Sequence, residues 1–469
     1  MIKNLKSYPE YKESNSPWLG EFPVHWRLPR LGSVLRERGE TNEKRQMEQV
    51  LSVMKDVGVI PYEEKGRVGN KKSEDTARYK IVRPDDIVVN CMNVIIGSVG
   101  ISRYTGCLSP VYYVLTRRSD VNNPRYLNSI FQTKPFQLSL VRIGKGIMAH
   151  RMRISMELLK CEPFPVPPRD EQDAIVRFLD YVNGRIELAI RAKRKLIELL
   201  NEQKRAITHS AITRGLDPNV SLKPSGIRWL GDIPKDWQTR RLKSIAQIRY
   251  GLGQPPRETE TGLPLIRATN VDQGRILENN LVRVDPSDVP KTRNAFLNEG
   301  EIIVVRSGAL TGDSAIIPKK YQGAVAGYDM VVTVTRARPD FVALSLLSSY
   351  LREDQLVIAS TRAAQPHLNA EELGAAIVLV PSDEEQKRIV KFVETETGPL
   401  DNAISRAERE MELLREFGIR LATDAVTGKI DVRDVASKLD ETADEPEASA
   451  TDDEPGDNCI VSRGALEGR

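Results

Sequence analysis

The chain has 469 residues, enough for two or three domains with their own cores, and 40% of them are apolar or aromatic, ordinary for a soluble protein. No run approaches transmembrane length, the start MIKNLKSYPEYKES has no apolar signal region, and Cys91, Cys107, Cys161 and Cys459 form no CxxC pair, which argues against a zinc or disulfide framework and for a reducing cytoplasm. The net charge of +4 is unevenly placed: residues 440–469 carry ten acids and two bases, so the remainder stands at +12, a balance suited to a polyanionic partner.

In chain order, the first feature is YKESNSPWLGEFPVHWRLPRL, with two tryptophans, Trp18 and Trp26, around a Gly-x-x-Pro turn. Burial that pins a loop to its domain is the simplest use of such aromatics, and base stacking is the alternative. A mixed body follows. LSVMKDVGVI alternates like a strand, Ile87-Val88-Val89 is a short apolar run that reads as a buried strand, and further strands fall near 97–103 and 111–116. Residues 126–141 read as helix.

Residues 169–214 read as one long helix. Pro167 and Pro168 block upstream extension, Asp170 and Glu171 favour the first turn, and Gly215 follows the last. Ile175, Leu179, Val182, Ile186, Ala189, Leu196, Leu200 and Ile207 form a narrow stripe, interrupted by Lys193 and Gln203, that suits a helix–helix seam.

The order then repeats. Residues 383–427 match the first helix at an offset of 214, with Gln172 against Gln386, Ile175 against Ile389, Phe178 against Phe392 and Thr213 against Thr427. The clasp recurs as LKPSGIRWLGDIPKDWQTRRL, Trp229 and Trp237 standing where Trp18 and Trp26 stood. LNEGEIIVVRSG parallels VRPDDIVVN, and MVVTV with the helical FVALSLLSSYLREDQL completes the second body. A period this long means a duplicated half-molecule rather than a solenoid. Strands and helices without regular alternation predict an α+β class. Between the bodies the frame is shared but GRVGNKKSEDTARYK has no counterpart in the second half.

No catalytic constellation stands out. Gly308 to Ser314 has a P-loop rhythm without its lysine and reads as a turn, and His25, His150, His209 and His367 have no metal spacing. Nucleic-acid chemistry is better represented. Lys65, Arg67, Asn70, Lys71, Lys72 and Asn90 in the first body, and Arg249, Tyr250, Gln254, Arg257, Arg267, Asn270, Arg306 and Ser307 in the second, can meet base edges or phosphates.

Taken together, the clasps WLGEFPVHW and WLGDIPKDW, the helix starts VPPRDEQDAIVRFLD and VPSDEEQKRIVKFVE, and KGRVGNKKSEDTARYKIVRPDDIVVN resemble the specificity subunit of Type I restriction-modification enzymes over residues 8–432. The resemblance implies two target-recognition domains, each reading half of a split asymmetric DNA target. It implies a pseudo-two-fold chain whose long helices pack as an antiparallel coiled coil, set the spacer and dock two modification (methyltransferase) subunits. Double-stranded DNA and the restriction (translocase-nuclease) subunits would be the other partners. The chain would be non-catalytic, with S-adenosylmethionine, ATP and Mg²⁺ on partner subunits and no cofactor of its own. The segments would be a first domain at 1–168, a helix at 169–215, a second domain at 216–381, a helix at 382–432 and an acidic, disordered tail at 433–469. Ile190 and Ile197, with Ile404 and Met411, lie outside the seam as read and form the expected partner surface. Gly398-Pro399 departs from the pattern and is expected to kink the second helix, and the tail is outside the family frame. The rival classes are a solitary DNA-binding adaptor and a DNA-modifying enzyme.

Overall fold

The computed structural model describes residues 5–55, 57–66, 71–145, 152–290, 294–361 and 366–439. They form two compact units: residues 1–192 with 410–469, and residues 193–409. The long helices Arg169–Arg214 and Asp383–Val426 each contribute to both units. The compact units therefore divide within the helices rather than at their ends.

Each unit is built on a four-stranded antiparallel sheet. In the first its order is Leu35–Glu37, Tyr112–Arg117, Ile87–Asn90, Val99–Ile101; in the second, Ala246–Tyr250, Met330–Val334, Ile302–Val304, Ser314–Ile316. Equivalent strands occupy equivalent places. The central strands read as unbroken apolar runs because both faces are covered: Val88, Val89, Ile302, Ile303 and Val304 are fully buried. An arginine on or just past the outer strand braces each sheet against an acid at the entry to the central strand. Arg38 meets Asp86 through two bonds of 2.8 Å, and Arg249 meets Glu301 at 2.6 and 2.7 Å.

The inserts differ. LSVMKDVGVI is a hairpin, Leu51–Met54 against Gly58–Pro61, rather than one strand. Residues 126–141 form short successive pieces, Pro124–Gln132, Lys134–Ser139 and Leu140–Ile143, because Pro135 opens a new helix after Thr133. In the second unit Glu258–Ile266 pairs with Val282–Val284 and Val325–Ala326, and a small hairpin joins Val271–Asp272 to Arg275–Ile276.

The clasps are buried anchors. The Trp26 indole donates to Glu171 at 2.8 Å, and the Trp237 indole to Glu385 at 3.0 Å. Trp26 also crowds Gly428, just past the second helix, and Trp237 crowds Gly215, just past the first. Each tryptophan thus joins the start of one helix to the end of the other. With Ile186 against Gly418 in the first unit, and Lys204 paired with Asp401 in the second, the helix segments run antiparallel within each unit. Gly215 (φ +75°) and Gly428 (φ +76°) take the left-handed conformation that stops each helix. The helix-start glutamines add a matching pair of bonds: Gln172 donates to the Pro167 carbonyl and Gln386 to the Pro381 carbonyl, both at 2.9 Å. The outer tryptophans diverge. Trp18 packs edge-on against Phe136, whereas Trp229 stays 45% exposed.

The seam has a different register from that read in the sequence. On the second helix the covered positions are Val393, Thr397, Leu400, Ile404, Ala407, Met411, Leu414, Gly418, Leu421 and Ala425, an unbroken alternation of four and three. On the first helix Ile190, Lys193, Ile197, Leu200, Lys204 and Ile207 are covered, while Leu196 and Gln203 are exposed. Ile190, Ile197, Ile404 and Met411 are consequently seam residues, not a leftover surface. The frame was displaced because Leu196-Ile197 and Gln203-Lys204 offer two choices one residue apart. The packing takes the β-branched Ile197 and the lysine that finds Asp401. The exposed apolar side chains are instead Leu188, Leu196, Leu199, Phe392, Leu413, Phe417 and Ile419. The second helix continues through Pro399. The start of the presumed tail is also folded: Arg433–Ala436 is a helical turn, Val432 and Ala436 are buried, and Asp431 pairs with Lys6. Residues 440–469 lie outside the described residues.

Candidate nucleic-acid interface

The sheets place several of the anticipated residues together and divert others. In the first unit Lys65 is 8% exposed in the short helix Tyr62–Lys65, its ammonium 4.2 Å from the Tyr62 ring centre. Lys72 lies 5.7 Å from the same ring and 3.6 Å from Glu63, and its backbone donates to the Tyr62 hydroxyl at 2.8 Å. Lys71 is exposed beside it. Tyr62 therefore gathers two of these lysines, Lys65 as packing and Lys72 on the surface. Arg67 and Asn70 lie outside the described residues. Asn90 ends its strand, its side-chain oxygen accepting from the Met92 amide, a turn-forming role.

In the second unit Arg249 belongs to the frame. Its five N–H donors reach the carbonyls of Asn294 and Phe296, both oxygens of Glu301 and the Thr333 hydroxyl, leaving none for a base. Burial pushes the Glu301 carboxyl up, but the bonds from Arg249, Thr333 and the Asn298 amide outweigh it and hold the group below its ordinary range. Asn270 is also structural: it is fully buried and ties Arg267 to the carbonyls of Leu277 and Asn279. Arg257 is exposed and paired with Asp288, and Gln254 is exposed. Arg267 bonds the Asn280 carbonyl at 3.1 Å and lies beside Gly327.

One group converges where three sheet strands meet, at the end defined by Tyr250, Val304 and Met330. The Arg306 guanidinium lies between two tyrosines, 4.6 Å from the Tyr250 ring centre and 4.3 Å from that of Tyr328. Both rings are substantially exposed, at 40% and 49%. His367 sits at 3.0 Å from Arg306 Nη2, and Ser307 pairs through its backbone with His367. Beneath them Asp329 is 2% exposed and accepts from the Arg306 backbone amide at 3.2 Å. Burial raises its pKa to about 6, against the opposing pull of the Arg306 and Ala268 amides and the Arg306 charge. Gly251 is required here because a side chain would strike the Gly327 carbonyl at 2.1 Å.

The same place in the first unit holds different chemistry. Cys91 stands where Arg306 stands, since Ile154 donates to the Cys91 carbonyl as Leu368 does to that of Arg306. Arg153 then occupies the place of His367. Burial raises the Cys91 thiol pKa, against the pull of Arg153. Tyr328, Asp329, His367 and Arg153 were not among the anticipated residues. The pairing of VNCMN with VVRSG, and of RISMELL with HLNAEEL, would have found Arg153 and His367, whereas Tyr328 and Asp329 carry no such signal. Among the described residues no cluster of three or more His, Cys, Asp or Glu could hold a metal, and no helix is long and apolar enough to cross a membrane.

Comparison with known proteins places this architecture. Residues 234–410 match the family model described as the Type I restriction modification DNA specificity domain. The specificity subunit of the Type I restriction enzyme MjaVIII from Methanocaldococcus jannaschii is 23% identical over 446 residues, covering 91% of this chain and 98% of that one. The EcoKI specificity subunit from Escherichia coli is 20% identical over 400 residues, covering 80% of this chain and 82% of that one. A solved chain from a study of assembly and conformational transition of the type I R-M system shares the fold at a TM-score of 0.60 and 13% identity, over 86% of this chain and 98% of that one. The second unit therefore carries a Type I DNA specificity domain. Over most of its length the chain is similar to the specificity subunits of Type I restriction-modification enzymes, the family its sequence resembles.

Proposed function

We propose that this chain is the DNA-recognition subunit of a Type I restriction-modification complex and that each unit reads one half of a bipartite target. The observation that carries the reading is the pair of sheets with equivalent strand order and equivalent tryptophan–glutamate bonds but unlike residues at the sheet end: Cys91 and Arg153 in one, Arg306 and His367 in the other. A shared frame with divergent contact residues suits two independent readings of one double helix.

The long helices set the separation of the halves, and their exposed apolar side chains dock modification subunits. S-adenosylmethionine, ATP and Mg²⁺ act on the partner subunits, and the chain itself is a non-catalytic reader. Selection from a library of randomised duplexes by the full chain assembled with modification subunits tests this. Two fixed blocks separated by an unspecified spacer of constant length are expected. A single contiguous block, or methylation or cleavage by the chain alone, would contradict it.

A further inference from the structure

Resting on that reading, we propose that Arg306 is a specificity-determining residue that reads a guanine in the half-site of the second unit. The argument starts from its donors. A guanidinium has five N–H groups in a fixed planar fork, and it is the side chain best suited to the O6 and N7 acceptors on the major-groove edge of guanine. Arg249, on the outer strand of the same sheet, uses all five internally. Arg306 does not. Nη2 meets His367 at 3.0 Å, Nε is buried without a partner, and Nη1 has no hydrogen-bond partner among the described residues.

The plane of the fork is nonetheless fixed. Tyr250 and Tyr328 hold it through cation–π contacts, the Tyr250 hydroxyl accepts from the Ala370 amide at 2.9 Å, and Asp329 holds the Arg306 backbone. A stacked, oriented arginine with an open terminal edge has already lost the rotamer freedom that base reading would cost. His367 contributes an acceptor in its neutral form, which orients Nη2 without neutralising the charge. A phosphate contact would need neither the sandwich nor a fixed plane. A purely structural arginine would be satisfied as Arg249 is. The first unit places Cys91 here, so this guanine is read by the second unit alone.

The test is the same randomised-duplex selection, run with the full-length chain carrying Arg306→Ala and, separately, Arg306→Lys. The wild type is expected to fix a guanine in the second block. Both variants are expected to lose preference at that position by tenfold or more and to keep the first block, which also reports that the chain is folded. Lysine fails because it cannot stack or present a planar fork. If Arg306→Ala loses both blocks, Arg306→Lys decides, and retention of the guanine there overturns the inference. It is also overturned if the alanine variant keeps the guanine, or if affinity falls uniformly across sequences with a smaller salt dependence, the behaviour of a phosphate contact. A wild-type chain that enriches no sequence would overturn the proposed function and this inference with it. A wild-type bipartite motif left unchanged by Arg306→Ala would overturn this inference alone.

Discussion

Replacing Glu171 with alanine should loosen the first unit far more than Glu385→Ala loosens the second. Both glutamates receive the indole of a clasp tryptophan, yet their surroundings differ. Glu171 is 2% exposed and accepts from Tyr8, Trp26 and His25. Burial and the bond to Glu171 raise the Tyr8 phenol well above its ordinary pKa, so it remains a donor at any working pH. Tyr8 and Trp26 are 3% and 1% exposed, so Glu171→Ala strands two buried donors. Each costs about 1–3 kcal/mol, so the two together cost about 2–6 kcal/mol. Glu385 is half-buried and serves Trp237, so its loss costs about 1–2 kcal/mol. Native-state hydrogen exchange read by mass spectrometry separates the units. Amides in 172–182 and 421–426 should exchange about 100-fold or more faster in Glu171→Ala, whereas Glu385→Ala should speed 386–393 by about tenfold. Equal effects of the two substitutions, or an unchanged first unit in Glu171→Ala, would refute the clasp as the joint between helix ends.

Asp329→Asn should stabilise the second unit by up to about 3 kcal/mol near neutral pH. The folded carboxyl titrates near pH 6, above its unfolded value, so its contribution favours folding below about pH 4 and is lost as pH rises through 6. The stability difference between variant and wild type, measured by urea unfolding, should accordingly vanish toward pH 4; a constant difference would contradict this. Four residues inserted after Lys193 add about 6 Å and rotate the seam by only about 40°, which should lengthen the methylated spacer by one or two base pairs. Two inserted residues rotate it by about 200° and should abolish assembly; methylation of a library of spacer lengths reads both outcomes, and an active four-residue insertion that keeps the original spacer would exclude the helices as the ruler. Leu196→Glu with Leu199→Glu should weaken association with modification subunits in size-exclusion chromatography while leaving thermal unfolding unchanged. Ile197→Glu, in the seam, should lower the unfolding temperature, and the reverse pattern would reject the corrected register.

Much of the frame was legible because it rests on local, repeated chemistry. Pro167, Pro168 and Gly215 bound the first helix at Arg169–Arg214, and the duplicated Val-Pro and Trp-Leu-Gly segments located the second. The seam register was not, because adjacent Leu196 and Ile197 satisfy either frame until the opposing Asp401 fixes Lys204 inward. The candidate site was half legible. Residue types suggested Tyr250 and Arg306, but nothing local distinguishes Arg306 from Arg249. Only tertiary pairing assigns Glu301 to one and leaves the other between tyrosines 78 positions apart in the chain. Lys65 was misleading for the same reason, since its burial depends on the fold around Tyr62.

The central claim, that two equivalent units read separate halves of one target, is tested most directly by making the units alike. Residues 31–166 and 242–380 begin and end at equivalent positions of the frame, the first bounded by the Arg27 and Arg30 pairings with Val166 and Pro163, the second by the pairing of Gln238–Arg241 with Ile377–Val380. Putting a second copy of residues 31–166 in place of 242–380, and repeating the duplex selection with modification subunits, is predicted to yield two copies of the first block at an unchanged separation. Persistence of the original second block in that chain would contradict the account.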